Sequence, residues 1–288
     1  MTATTVNTEG NPPAPALAVG DITCRVLSDG GASYPVDALY AGVDHAVVAS
    51  ELGDRLSTAG EVYSTYDCVL LETPTATILV DTGLGRLAEI AGEPAGHLLR
   101  SLAAAGHTPD DIDAVILSHA HPDHIGGLVQ DGAVTFRNAR HVMSTTEWAH
   151  WTNPDSLARM PEFMAAPARA MLPLLDRADC LELVDGEAEV VAGVRLVPAP
   201  GHTPGHCVVK VESGGAELAL LADTIIDELQ FSHVDWVSAF DHSAEETTRT
   251  RARLLHEAAR TGSPLLAYHI GNFGTVDTDA AGYSWNLT

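Results

Sequence analysis

Positive charge is what this 288-residue chain has least of. It carries 15 lysines and arginines against 39 aspartates and glutamates, a formal net charge of -24, and Lys210 is its one lysine. Such a surface repels phosphate backbones and offers no basic stripe to nucleic acid. Anionic membranes are disfavoured on the same ground. What the charge does supply is solubility. Cysteine is scarce too: Cys24, Cys68, Cys180 and Cys207 are scattered, with no C-x-x-C pair. That argues against a disulfide framework and leaves buried free thiols as the expectation. No apolar run approaches the ~18 residues of a membrane span. No arginine or lysine precedes Arg25, and the first residues are polar. Neither a signal nor a transit peptide is visible, so a cytoplasmic protein is expected. Repeats are absent.

What is there is a hydrophobic content of 45%, ample for a large core. Residues 1–17, rich in Thr, Asn, Pro and Ala, read as a loose arm, and residues 18–288 as one domain. Strands are expected at Ile22–Leu27, Cys68–Leu71 and Ala76–Val80, with loop and weak helix over Tyr34–Leu56. A helix over His97–Ala105 stops at Gly106. Strands follow at Ala114–Leu117, Val134–Phe136 and His141–Ser144. Thr146–Arg177 reads as helices broken at Pro154, Pro161, Pro167 and Pro173, forming a packed cover, or alternatively a lid or a homodimer surface. Strands return at Leu181–Val184, Val190–Val197, Cys207–Val211 and Leu218–Leu221. Ser243 and Glu246 cap a helix that runs to Arg260, and Leu265–His269 is the last core strand. This order fits α/β sheets covered by helices.

Chemistry concentrates in Ser118-His119-Ala120-His121-Pro122-Asp123-His124-Ile125-Gly126-Gly127, which follows the apolar run Ala114–Leu117. Imidazole and carboxylate suit zinc and other borderline divalent metals. His119 and His121, two apart, point the same way from an extended segment and can share one metal. Asp123 and His124 lie past Pro122, where the loop has turned, and are expected to face a second. Three other apolar strands end in a candidate ligand: His202 in Pro200-Gly201-His202-Thr203-Pro204-Gly205-His206, Asp223 after Leu220-Leu221-Ala222, and His269 after Leu266-Ala267-Tyr268. A charged group at such a position needs a partner or a metal. The other nine of the 14 histidines read as ordinary surface or core groups. His206 is expected to hydrogen-bond within its turn or to back a ligand. Asp81 reads as a loop-fixing carboxylate. Gly83-Leu84-Gly85-Arg86-Leu87-Ala88 matches G-x-G-x-x-A, but no acidic residue follows ~20 positions on, and a dinucleotide site is rejected.

The set resembles the metallo-β-lactamase fold superfamily. Its H-x-H-x-D-H motif stands as His119, His121, Asp123 and His124. Its later ligands match His202, Asp223 and His269, and Asp81-Thr82-Gly83 matches its early strand and turn. The resemblance spans roughly Ile22 to His269. It implies an αββα sandwich, two mixed sheets flanked by helices, with two divalent cations at one edge and zinc the first choice. His119, His121 and His202 would hold one cation, Asp123, His124 and His269 the other, and Asp223 would bridge. True β-lactamases of the superfamily lack that bridging aspartate. The motif and the His202 turn look most like the lactonase and organophosphate-hydrolase branch, although Ile270-Gly271-Asn272 replaces the Phe-Pro-Gly turn that often follows the last histidine there.

The expected activity is hydrolysis of a lactone, ester or related small molecule by a hydroxide bridging two cations. Asp123 would orient the nucleophile or pass a proton to the leaving group. The alternatives are an organophosphate or phosphoester hydrolase on the same site, and a persulfide dioxygenase with a single iron. Tyr66, Phe231, His233, Trp236 and Phe273 lie near ligands in sequence and are the candidate substrate contacts.

Overall fold

In the computed structural model, which describes residues 14–278 and 282–288, two seven-stranded sheets face each other. The first runs in the order Ala16–Val19, Ile22–Pro35, Glu61–Glu72, Thr77–Val80, Ala114–Ile116, Arg140–Ser144, Leu181–Val184. It is antiparallel up to Thr77–Val80 and parallel from there on. The second runs Ala188–Val191, Val194–Pro198, Cys207–Ser213, Ala216–Leu220, Leu265–Leu266, Phe273–Thr278, Tyr283–Leu287.

Side-chain alternation along each strand sorts the core into layers. Ala114 and Ile116 point between the sheets, where they join Val69, Leu71, Ile78 and Val80 against Val194, Leu196, Val209 and Leu220. Val115 points the other way and packs with Leu98, Leu102, Leu172 and Leu175 from the helices Leu98–Ala104 and Glu162–Arg177. On the far side, Val208 and Val197 pack against Leu254, Leu255 and Ala258 of the helix Ala244–Thr261. Strands covered on both faces read as continuous apolar runs, which is why Ala114–Leu117 carries no polar residue. The result is the four-layer αββα sandwich.

Several local expectations change. Ala16 and Leu17, assigned to the arm, pair with Arg25 and Cys24; residues 1–13 lie outside the described residues. The first long strand runs to Pro35, not Leu27. Pro167 and Pro173 do not break the helix Glu162–Arg177. A proline loses a hydrogen bond there, but Pro167 is buried with Ala165, Ala168, Leu172 and Leu175, and that apolar face holds the helix. Val190–Val197 is a hairpin turned at Gly193, whose φ of 81° suits glycine. Ala133–Val134 pairs only with Val129–Gln130, in a separate two-stranded ribbon. Pairing in Leu265–His269 stops at Leu266, and Phe273–Thr278 and Tyr283–Leu287 add two strands beyond it. Among the described residues, no helix is long and apolar enough to cross a membrane.

Candidate metal centre

The strand ends deliver the site. Val80 pairs in parallel register with Ile116, so Asp81 and Ser118 emerge side by side. The Asp81 carboxylate accepts from the Ser118 amide (2.8 Å), the Ser118 hydroxyl (2.7 Å) and His124 Nδ1 (2.8 Å). His121 then enters a single helical turn, Pro122–Ile125, with proline at its first position. Two glycines close the loop: a Cβ at Gly126 would sit 2.1 Å from the Leu84 carbonyl oxygen, and one at Gly127 2.2 Å from that of Thr82. The glycine-rich turn after Val80 therefore serves to cradle the histidine loop.

Two groups of side chains converge, His119, His121, His202 and Asp223, and Asp123, His124, Asp223 and His269, each with its donor atoms within 4.8 Å of one another. Asp223 belongs to both. Its Oδ2 lies 3.3 Å from His202 Nε2, 3.7 Å from His119 Nε2 and 3.1 Å from His269 Nε2, and its Oδ1 lies 3.1 Å from His124 Nε2. Asp123 Oδ2 is 3.6 Å from both His124 Nε2 and His269 Nε2. All seven expected ligands are thus brought together.

Outer hydrogen bonds fix which nitrogen each imidazole turns inward. A carboxylate or carbonyl only accepts, so the ring nitrogen facing it carries the proton. His202 Nδ1 donates to Asp241 (2.8 Å), His124 Nδ1 to Asp81 and His269 Nδ1 to the Thr65 carbonyl (2.8 Å). The Ser118 hydroxyl gives its proton to Asp81, so it accepts from His119 Nδ1 at 3.1 Å. Neutral imidazoles then aim four Nε2 lone pairs at one another and at carboxylate oxygens. His121 Nδ1 stands 2.9 Å from His202 Nε2. His119 Nε2, His124 Nε2 and Asp223 Oδ1 are buried with no hydrogen-bond partner. Lone pairs converging on lone pairs repel unless a cation or protons lie between them, and this donor set fits two divalent cations.

Electrostatics agree. Burial, reinforced by neighbouring histidines, holds His119 and His121 well below the usual imidazole range. Burial also disfavours the charged form of His124, but Asp223, Asp123 and Asp81 outweigh it and hold this ring well above that range. In His202, hydrogen bonds to Asp223 and Asp241 overcome burial and lift it to about 9. Burial pushes Asp223 up, yet His124, His269 and His119 pull it well below the carboxylate range.

Glu147 and Asp241 have no motif spacing and escaped the sequence reading. Glu147 is fully buried and accepts four hydrogen bonds: Ala120 N (2.9 Å) and Trp151 Nε1 (2.7 Å) on one oxygen, Thr203 Oγ1 (2.7 Å) and Gly205 N (2.9 Å) on the other. It ties the His119–His121 loop to the His202 turn. His206 braces that turn through Ala199 O (3.0 Å), and its Nε2 accepts from the Asp223 amide (3.2 Å).

A cavity of ≈ 290 Å³ opens over the cluster, with His121, Asp123, His202, Asp223 and His269 in its floor. Of the five candidate substrate contacts, Tyr66 lines it. The other four candidates lie elsewhere. Phe231 is buried and stacks on Trp285 at 4.5 Å. His233 stacks on Trp236 at 3.8 Å and pairs with Glu51, and Phe273 fills the space between the sheets. Closeness in sequence misled here, because the chain turns away from the site after each ligand. The walls come instead from Tyr34, Leu39, Phe163, Met164, Ile226 and Phe240, supplied by five separate segments.

The model of the metallo-beta-lactamase superfamily matches residues 65–258, about two thirds of the chain. An N-acyl homoserine lactonase of Bacillus thuringiensis is 30% identical over 226 residues, covering 70% of this chain and 81% of that protein. The structure also resembles AidC, a dizinc quorum-quenching lactonase solved with a product N-hexanoyl-L-homoserine, with a TM-score of 0.84, 27% identity and coverage of 96% and 97% of the two chains. The hydrolase AbOPH shares the fold at a TM-score of 0.86 and 22% identity, over 96% and 97%. With its αββα layers and its histidine and aspartate cluster at the strand ends, the chain belongs to the metallo-beta-lactamase superfamily.

Proposed function

We propose that this protein is a dinuclear metal-dependent hydrolase of lactones or related esters, with N-acyl homoserine lactones the first class to try. The observation that carries the reading is the pair of ligand groups sharing Asp223 beneath a cavity with largely apolar walls. Relatives named as lactonases support the substrate class. Two bound cations, zinc foremost, would polarise an ester carbonyl and supply hydroxide near neutral pH. The chain's own residues do the rest. Leu39, Ile226, Phe240 and Met164 exclude water and hold an uncharged acyl group. Asp123 is the carboxylate of the cluster most open to the cavity, its side chain 15% exposed against 5% for Asp223. It is the group able to take a proton and hand it to a departing alkoxide.

The test is a panel of lactones, aryl esters and phosphotriesters, run on protein with its metals counted. Lactone turnover at two metals per chain is expected, lost in His121→Ala. In Asp123→Asn, turnover should fall even where both metals are retained. One iron per chain with turnover of a persulfide would replace this reading.

A further inference from the structure

Tyr34 and Tyr66 both line the cavity, and their hydroxyls hydrogen-bond to each other. Their strands place them. In the antiparallel pair Ile22–Pro35 and Glu61–Glu72, Tyr34 lies opposite Val62 and Tyr66 opposite Gly30. Both project from the same face, because side chains alternate with a period of two. Between them on that face stand only Ala32 and Ser64, a directly opposed pair, and Gly30 has no side chain at all. The two rings lean toward each other over this trough of small residues. The Tyr66 ring meets the His269 ring edge-on at 5.8 Å, and the Tyr34 ring meets Phe240 edge-on at 5.8 Å. The pair therefore stands beside the Asp123–His269 half of the cluster.

Counting protons gives the pair a purpose. A phenol of ordinary pKa ~10 is protonated at neutral pH, so the two hydroxyls hold two protons. Their mutual bond uses one. Among the described residues neither hydroxyl has another hydrogen-bond partner. Tyr66 is only 3% exposed and Tyr34 is the more open of the two, so the arrangement in which Tyr66 donates to the Tyr34 oxygen leaves the buried hydroxyl satisfied. Tyr34 is half-buried and opens to the cavity. Its own proton is left to point inward, and accepting from Tyr66 makes its hydroxyl a better donor.

We propose that Tyr34, backed by Tyr66, donates a hydrogen bond to the carbonyl oxygen of the ester being cleaved, steadying the negative charge that grows there. This rests on the hydrolase reading above. Tyr34 is then a catalytic residue, and Tyr66 a positioning residue that acts through it. The proton stays on Tyr34 throughout, and no bond forms or breaks at either ring. A donor aimed at developing charge matters more in the transition state than in the ground state, so its loss falls on kcat.

The experiment compares wild type, Tyr34→Phe, Tyr66→Phe and the double variant, all metal-loaded with metal content and thermal midpoint checked. Two readouts are taken: lactone hydrolysis, and calorimetric binding of the matching γ-lactam, which resists hydrolysis but keeps the carbonyl. Tyr34→Phe should lower kcat about 10- to 100-fold, while KM and the lactam Kd rise only about two- to threefold. Tyr66→Phe should lower kcat about three- to tenfold, and the double variant should be no worse than Tyr34→Phe. Wild-type kcat and lactam affinity in Tyr34→Phe would overturn the inference and leave the hydrolase reading standing. So would losses that multiply in the double variant. A wild type that neither cleaves lactones nor binds the lactam would overturn both.

Discussion

Replacing Glu147 by glutamine should loosen the metal centre without touching a ligand. The carboxylate accepts from Ala120 N and Trp151 Nε1 on one oxygen and from Thr203 Oγ1 and Gly205 N on the other. Glutamine keeps one accepting oxygen. Turned toward Ala120 and Trp151, it retains two bonds, and its amide group then faces Thr203 and Gly205. The Thr203 hydroxyl can rotate to accept. The Gly205 amide cannot, and is left opposed to another donor. A buried donor without a partner costs about 1–3 kcal/mol. The three surviving bonds also lose the strength that a charged acceptor gives. Against this, neutral glutamine removes a buried charge whose cost is visible in the way burial pushes the Glu147 carboxyl up. The net loss should be about 2 kcal/mol. In a chain of this size that is roughly 3 °C in Tm. The turn that slackens carries His202, so metal affinity should also fall about tenfold, as for other groups behind a ligand. Thermal unfolding and competition with a chelating dye read the two effects. A variant with wild-type Tm and wild-type metal affinity would refute the clamp.

Three further outcomes follow from the same geometry. Asp241→Ala removes the acceptor that fixes the His202 tautomer, and metal affinity should drop about 10- to 100-fold in the same dye competition; unchanged affinity would mean that the turn alone orients the ring. Stripping the metals with a chelator should lower Tm reversibly, through loss of the ~4 kcal/mol of stability that ligand at 1,000 times its Kd contributes, and a Tm indifferent to chelation would remove the site from consideration. Burial pushes the Asp67 carboxyl up to about 6, above its unfolded value. The folded state holds that proton more tightly, so the carboxylate's cost is absent below pH ~4 and complete above about 6. Asp67→Asn should therefore gain about 3 kcal/mol at pH 8 and nothing at pH 4, measured by urea unfolding, and an equal effect at both pH values would contradict this.

The cluster of candidate ligands was legible in the sequence because strand-end chemistry is local. His119 to His124 sit on six consecutive positions, and His202, Asp223 and His269 each close an apolar run. A charge there announces itself against its neighbours. The cavity was not legible, since its walls are assembled across the fold. Tyr34 and Tyr66 meet only because a bulge between Ser28 and Gly30 sets the register of two long strands, and Phe240 meets Tyr34 from a loop some 200 residues later. Glu147 was hidden for a related reason: its four donors come from both halves of the site. The tail strands escaped because Phe273–Thr278 and Tyr283–Leu287 bury only one face and mix polar with apolar residues. The prolines of Glu162–Arg177 show the limit from the other side. There a local rule was correct about the hydrogen bond and wrong about the helix, because packing decided.

Charge at the centre argues for how the cations would load. Asp81, Asp123, Asp223 and Asp241 lie on or directly behind the imidazoles. Arg251 helps hold Asp241 low and is otherwise committed to the carbonyls of Thr224, Val234 and Trp236. Four carboxylates among neutral imidazoles, with Arg251 offset by the hydroxide, would balance two divalent cations. With one cation, two negative charges would stay uncompensated in the buried cluster, where the carboxylates raise His124 and His269 and so favour protons on them. A second cation would displace those protons and meet a site that the first, through the shared Asp223, would already have ordered. Titration of metal-free protein should therefore show two equivalents taken up together, with proton release throughout. A sharp end point at one equivalent near pH 7.5, with no further uptake, would refute the charge balance and with it the dinuclear assignment.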